Sequence, residues 1–79
     1  MIKLSELAEG EEAKLVSLEG NRSFRRRLME LGLLPGTGLR VIRRGTFGGV
    51  LELEVRRSRL SLRMSEAAHL FLEEGSAEA

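Results

Sequence analysis

Residues 31 to 36 read Leu-Gly-Leu-Leu-Pro-Gly, and they limit how far any helix before them can run. Phe24, Leu28 and Leu31 recur at i, i+4 and i+7, the narrow apolar stripe of one short helix near residues 23 to 31. Ser23 is the expected N-cap, with Asn21 as its rival. Gly32 follows the last stripe residue and suits the left-handed position just past a helix end. From there Leu33 folds back onto Leu28, the contact that accompanies a Schellman ending. Pro35-Gly36 then predicts a type II turn, with proline presetting φ at the second position and glycine accepting φ > 0 at the third.

Most of the remaining chain has a two-residue period. Residues 13 to 18 read as a strand rich enough in apolar residues to be buried on much of both faces. In residues 38 to 44 Leu39 and Val41 point inward, with Arg40 and Ile42 outward. In residues 50 to 55 Leu51, Leu53 and Val55 share one face, with Glu52 and Glu54 on the other. Leu60 and Leu62 continue the pattern inward, and residues 70 to 73 form a closing strand. Glu52 and Glu54 are placed to face arginines across the strand pair. Leu4 and Leu7 suit one helical turn near the start, and a Ser65-capped turn precedes the last strand. Five short strands with one main short helix predict a mainly β fold, a closed small barrel whose closure removes bare edges. One domain is expected over residues 1 to 74, followed by a flexible tail at 75 to 79. Leu15, Phe24, Leu28, Leu31, Val41, Leu51, Leu53, Leu60 and Leu62 are the expected core.

Charge is unevenly spread. Residues 22 to 63 hold 11 arginines against Glu30, Glu52 and Glu54, a balance of +8, whereas the flanks carry −3 and −4, so the net is +1. Such asymmetry marks a surface for an anionic partner, or arginines that merely solvate ordinary strands. With no cysteine and one histidine, the chain offers no disulfide and no zinc centre. His69 has no identifiable acid or nucleophile beside it and reads as a partly exposed turn residue rather than a catalyst, so no enzymatic activity is expected. Glu11-Glu12 and Glu73-Glu74 read as solvated charge, because adjacent side chains of an extended chain point to opposite faces. No metal site or cofactor is expected. No apolar run approaches the ~18 residues of a membrane span and no signal peptide is seen, which predicts a cytoplasmic location without membrane insertion.

Peptide-groove recognition and single-strand stacking both need exposed aromatics, and the chain has three phenylalanines and neither Tyr nor Trp. Phe24 and Phe71 read as core, which leaves Phe47 at a loop tip. Nucleic acid is therefore a disfavoured partner, with a small RNA-binding barrel as the rival reading. The favoured one is protein contact through the helix and its adjoining turn. Arg22, Arg25, Arg26 and Met29 fall on the side opposite the apolar stripe, offering forked donors beside an adaptable thioether, and Leu34 adds apolar area. Weak self-association stays open.

The run "RRRLMELGLLPG" resembles the "RL-x-x-LGL-x-PG" signature of the FeoA family. The likeness extends to Leu4, Leu7 and Gly10, to Gly48, and to "LSLRMSEA", covering roughly residues 3 to 73. The chain departs at Gly49-Val50, where the family often has Asp-Pro, and at Arg57-Ser58, where it usually has a glycine. The resemblance implies an SH3-like barrel in which Leu28, Leu31, Gly32, Leu33, Pro35 and Gly36 form the structural motif. It also implies a cytoplasmic partner of the FeoB membrane GTPase, at the inner face of the membrane, in ferrous iron transport, iron homeostasis and transition metal ion binding. Any iron connection then runs through that partner. The same domain type ends metal-responsive transcriptional regulators, after a winged helix; none precedes it here, so a free-standing accessory protein is expected.

Overall fold

The computed structural model describes residues 1 to 45 and 49 to 73. Strand β1 (Ile2–Lys3) leads into a 3₁₀ turn (Leu4–Glu6). Then come β2 (Glu12–Leu18), helix α1 (Arg22–Glu30), β3 (Gly38–Arg44), β4 (Val50–Val55), β5 (Ser58–Arg63), helix α2 (Met64–Ala67) and β6 (Leu70–Glu73). The strands form one antiparallel sheet in the order β1-β6-β2-β3-β4-β5. This is the mainly β, barrel-like architecture expected, with one strand more than the five expected. β1, two residues long, is too short to show a period.

The expected closure is not made by strand pairing, since β1 and β5 stand at the two ends of the sheet order. Between these ends α2 packs against β5, β4 and the 3₁₀ turn, so helical turns cover the gap that a strand pair would close. Curvature comes from two register shifts, between Leu15 and Ser17 and between Val41 and Arg43. A bulge bends its strand and increases the local twist. The second one also changes parity. Val41 and Arg43 would otherwise share a face, yet Val41 is fully buried while Arg43 is exposed and reaches Glu52.

Among the described residues fifteen apolar side chains fill the interior, eleven of them leucine, including Leu4, Leu15, Leu28, Leu51, Leu53 and Leu72. Six of the nine expected core residues are buried. Phe24 and Leu60 are half-buried and pack against the core, Phe71 is half-buried, and Leu31 is 49% exposed. β2 is not buried on both faces: Ala13 and Leu15 point inward, and Val16 is 39% exposed. Two-sided burial needs a layer on each face, as in parallel sheets between helices, and here only one face of the strand has one.

Arg44 ties the N-terminal arm to β3. Its Nη1 donates to the carbonyls of Ser5 and Leu7 at 2.9 and 2.8 Å, while its amide donates to Glu9 Oε2 at 2.9 Å. Ser65 does not cap α2, because the helix already begins at Met64. The residue before it, Arg63, donates its amide to Glu66 Oε1 at 2.9 Å. Glu66 Oε2 receives Arg27 Nη2 at 2.7 Å, so one carboxylate starts α2 and ties it to α1. The Phe47 and Gly48 positions and the tail from Glu74 lie outside the described residues.

The helix stop follows the expected geometry. Gly32 has φ +103°, its amide donates to the Met29 carbonyl at 3.0 Å, and the Leu33 amide donates to Leu28 at 3.0 Å. Gly36 has φ +93°, and Thr37 closes the turn onto the Leu34 carbonyl at 2.9 Å. Around Gly32 a Cβ would meet nothing nearer than Val55 Cγ1 at 4.0 Å. The cost of a side chain there is therefore backbone strain, not a clash. Gly32→Val is expected to destabilise the domain by about 1–2 kcal/mol, lowering the melting midpoint by about 5 °C or more in a thermal melt. The Glu66 carboxyl is held below its ordinary value of 4.5, first by the Arg63 amide and then by the Arg27 side chain. A depressed folded pKa stabilises the fold fully above 4.5 and loses that contribution as pH falls through the folded value. Melts of the wild type and Glu66→Gln should thus differ most near neutrality and converge as the pH drops below 4.5.

Candidate functional site

Helix α1 starts at Asn21, not Ser23. Asn21 is extended, with φ −76° and ψ 170°, and its Oδ1 accepts the Phe24 amide at 2.9 Å. A capping residue has to sit outside the helix while its side chain reaches the first turn. Ser23 is already the second helical residue, so its hydroxyl is in the wrong place. The start is pinned further by Phe24, whose ring lies over Gly20 so closely that a Cβ there would come within 2.9 Å of it.

From this start the helix divides into two faces. Leu28 is fully buried and Phe24 half-buried. The other side presents Arg22, Arg25, Arg26 and Met29 around an open recess of about 370 Å³, so the structure brings four of the five expected partner residues together. Arg22 and Arg26 are exposed, Arg25 is half-buried, and Met29 is 39% exposed. None of the three guanidinium groups has a hydrogen bond or ion pair among the described residues.

The third member of the arginine triplet is occupied elsewhere. Arg27 reaches Glu66, and its guanidinium carbon lies 5.8 Å from the centre of the Phe24 ring. His69, exposed as expected, stands edge-on to the same ring at 5.8 Å and 71°. Arg27, Phe24, Glu66 and His69 thus join α1 to the end of α2. The imidazole serves as a packing neighbour in that group.

Leu34, the fifth expected residue, is 38% exposed at the turn after the helix. That turn is bonded to β2 through Gly36 to the Leu15 carbonyl at 2.7 Å and Leu15 to the Thr37 carbonyl at 2.9 Å. Leu31 was expected in the core and belongs instead to the surface. It is the C-cap, and the reversal at Gly32 sends Leu33 inward to full burial. A Schellman ending gives the inward contact to the residue after the glycine. That rule contains the signal the helical period missed. Met29 borders the arginines, while Leu31 and Leu34 are exposed at the end of the helix and the turn after it.

Among the described residues no three His, Cys, Asp or Glu side chains are grouped to hold a metal ion. Glu11, read as solvated, accepts the Ala8 amide at 2.9 Å and closes a turn. What this face offers is forked cationic donors beside the Met29 thioether.

The family model for the FeoA domain matches residues 2 to 74. A curated relative, the Fe(2+) transport protein A/Fe(2+) transporter FeoB fusion protein of Porphyromonas gingivalis, is 31% identical over 72 residues. The alignment covers 91% of this chain and 8% of that relative, so the chain spans a small part of its length. Among solved structures, FeoA of Chlorobium tepidum superposes with a TM-score of 0.84 at 34% identity, covering 99% of this chain and 79% of that one. The zinc complex of FeoA from Stenotrophomonas maltophilia, an SH3 domain protein, gives 0.83 at 32% identity, covering 96% and 94%. The matched residues take in the six strands and two helices of the described residues and the glycine stop, and on that basis the chain belongs to the FeoA family.

Proposed function

We propose that this chain is a cytoplasmic accessory protein of bacterial ferrous iron uptake, acting by contact with a FeoB-type membrane GTPase through α1 and the following turn. The observation that carries the reading is the group of Arg22, Arg25 and Arg26, whose guanidinium groups have no partner among the described residues and lie beside exposed Met29, with exposed Leu34 at the turn that follows. Three arginines in the first turns of a helix oppose its macrodipole at a cost of a few tenths of a kcal/mol or more. An acidic surface on the partner offsets that cost, and the arginine fork matches carboxylate geometry.

The Porphyromonas gingivalis relative supports the choice of partner. There a segment similar to this chain shares one polypeptide with FeoB. Joining two modules converts their encounter into an intramolecular one and raises its effective concentration, which favours a weak contact. No helix among the described residues is long and apolar enough to cross a membrane, so the partner supplies the membrane location in this reading.

The test is Arg25→Glu with Arg26→Glu, which leaves Leu28 and Phe24 in place. Acidic residues near a helix N-terminus are electrostatically favourable, so a thermal melt should show the fold intact. Affinity for the solubilised FeoB-type protein of the same organism should fall by about tenfold to a hundredfold, through repulsion added to lost pairing. Cells carrying the variant should take up less ferrous iron. Unchanged affinity and uptake would remove this face from the mechanism. RNA titrated at two salt concentrations addresses the rival: wild-type binding that persists at physiological salt, with a slope about two units shallower in the variant, would favour the RNA-binding barrel.

A further inference from the structure

The β4–β5 hairpin turns through two arginines that both have positive φ, +52° at Arg56 and +72° at Arg57, between the paired residues Val55 and Ser58. A two-residue loop with both residues left-handed is a type I′ turn, and its preferred sequence is Asn-Gly. A long side chain in that region costs free energy that glycine does not, and this hairpin bears the cost twice. Neither guanidinium recovers it inside the fold, as neither has a hydrogen bond or ion pair among the described residues. Strain kept without internal compensation is a reason to ask what the side chains meet.

They border an open cleft of about 350 Å³. The β3–β4 pairs end at Arg40↔Glu54, so the hairpin tip stands clear of the first residues of β3. The cleft lies between that tip, Lys14 of β2, and Gly38 and Arg40 of β3. Its charged lining is Lys14, Arg40, Arg56 and Arg57 against Glu12 and Glu54, a balance of +2. Arg40 and Glu54 are paired at 2.6 Å, which leaves Lys14, Arg56 and Arg57 as cations unpaired among the described residues. Gly38 adds bare backbone, with nothing within 4 Å of where a Cβ would stand.

We propose that this cleft docks a carboxylate-rich segment of a partner protein, with Arg56 and Arg57 as its forked donors. The arginine fork receives both oxygens of one carboxylate, and the bare wall at Gly38 admits the backbone of the bound segment. A nucleic acid fits less well. The lining contains two carboxylates and no aromatic ring, whereas single strands are held by continuous basic grooves and stacking side chains. The site is distinct from the α1 face, and its test is separate.

The decisive variant is Arg56→Asn with Arg57→Gly, which installs the preferred turn and should raise the melting midpoint while removing the donors. The probe is a fluorescein-labelled octapeptide of alternating glutamate and serine, with its glutamine counterpart as control, in about 20 mM salt where screening is weak. Wild type should bind the glutamate peptide and not the control, and the variant should bind it roughly three- to tenfold more weakly. Lys14→Gln, remote from the turn, should weaken binding about twofold and keeps the test open if the turn variant misfolds. Amide resonances of Gly38, Leu39, Arg56 and Arg57 should move on titration. Equal affinity in wild type and both variants, resonance changes confined to α1, or an oligothymidine of matched length binding more tightly than the peptide would each overturn the proposal.

Discussion

At the end of α1 the Leu33 amide reaches back 3.0 Å to the Leu28 carbonyl, across a glycine whose φ of +103° most residues resist. Helix propagation is locally favourable once begun, so a helix this short needs an explicit stop. The stop has three structural consequences. It places Leu33 beside Leu28 in the core, turns Leu31 outward, and delivers the chain to the Pro35-Gly36 turn that is bonded to β2 on both sides of Leu15. The exposed face of α1 is therefore held at a fixed position by backbone hydrogen bonds and two fully buried leucines. Were the helix to continue, β3 would lose its starting point, and with it the strand that joins β2 to β4.

The period-two segments were legible because one face of each is buried, and a one-residue slip would expose every leucine on it. Leu51, Leu53 and Val55 illustrate this: all three are buried, with Glu52 and Glu54 between them half-exposed and facing Arg43 and Arg40. What escaped the sequence depends on a few atoms rather than on a pattern. Nothing in the period marks the bulge after Val41 that turns Arg43 outward, or the two-residue β1 that pairs with β6. The choice of Asn21 over Ser23 as cap rests on which residue stays extended, a matter of one backbone angle. Glu66, which replaces Ser65 as the starter of α2, draws part of its role from Arg27, 39 positions away.

At the candidate site the expected cations and Met29 do share one recess, because 100° per residue is reliable over nine residues of helix. Leu31 was misassigned by the same rule, applied one residue beyond the helix. Leu31 thereby leaves the core and becomes exposed apolar surface at the helix end. Met29 beside three arginines, with Leu34 exposed at the following turn, sets apolar area next to forked donors.

The arginines of the middle region can be sorted by what they meet. Arg27 bridges two helices, Arg40 and Arg43 pair with glutamates on the neighbouring strand, and Arg44 holds two carbonyls of the N-terminal arm. For these four, ordinary fold chemistry is sufficient, and the excess of arginine needs no external partner. The argument fails for Arg22, Arg25 and Arg26 at a helix start and for Arg56 and Arg57 at a left-handed turn. Those five occupy positions that local physics disfavours and have no compensating contact among the described residues. Composition alone could not separate the two groups, since these nine of the eleven arginines, all but Arg59 and Arg63 of β5, are the same residue in one stretch of net positive charge. The separation comes from position, and it sets apart the arginines at two places, the α1 face and the hairpin tip. A helix dipole opposes the first group and left-handed backbone the second, and the two proposals give both the same answer, a carboxylate surface outside the chain.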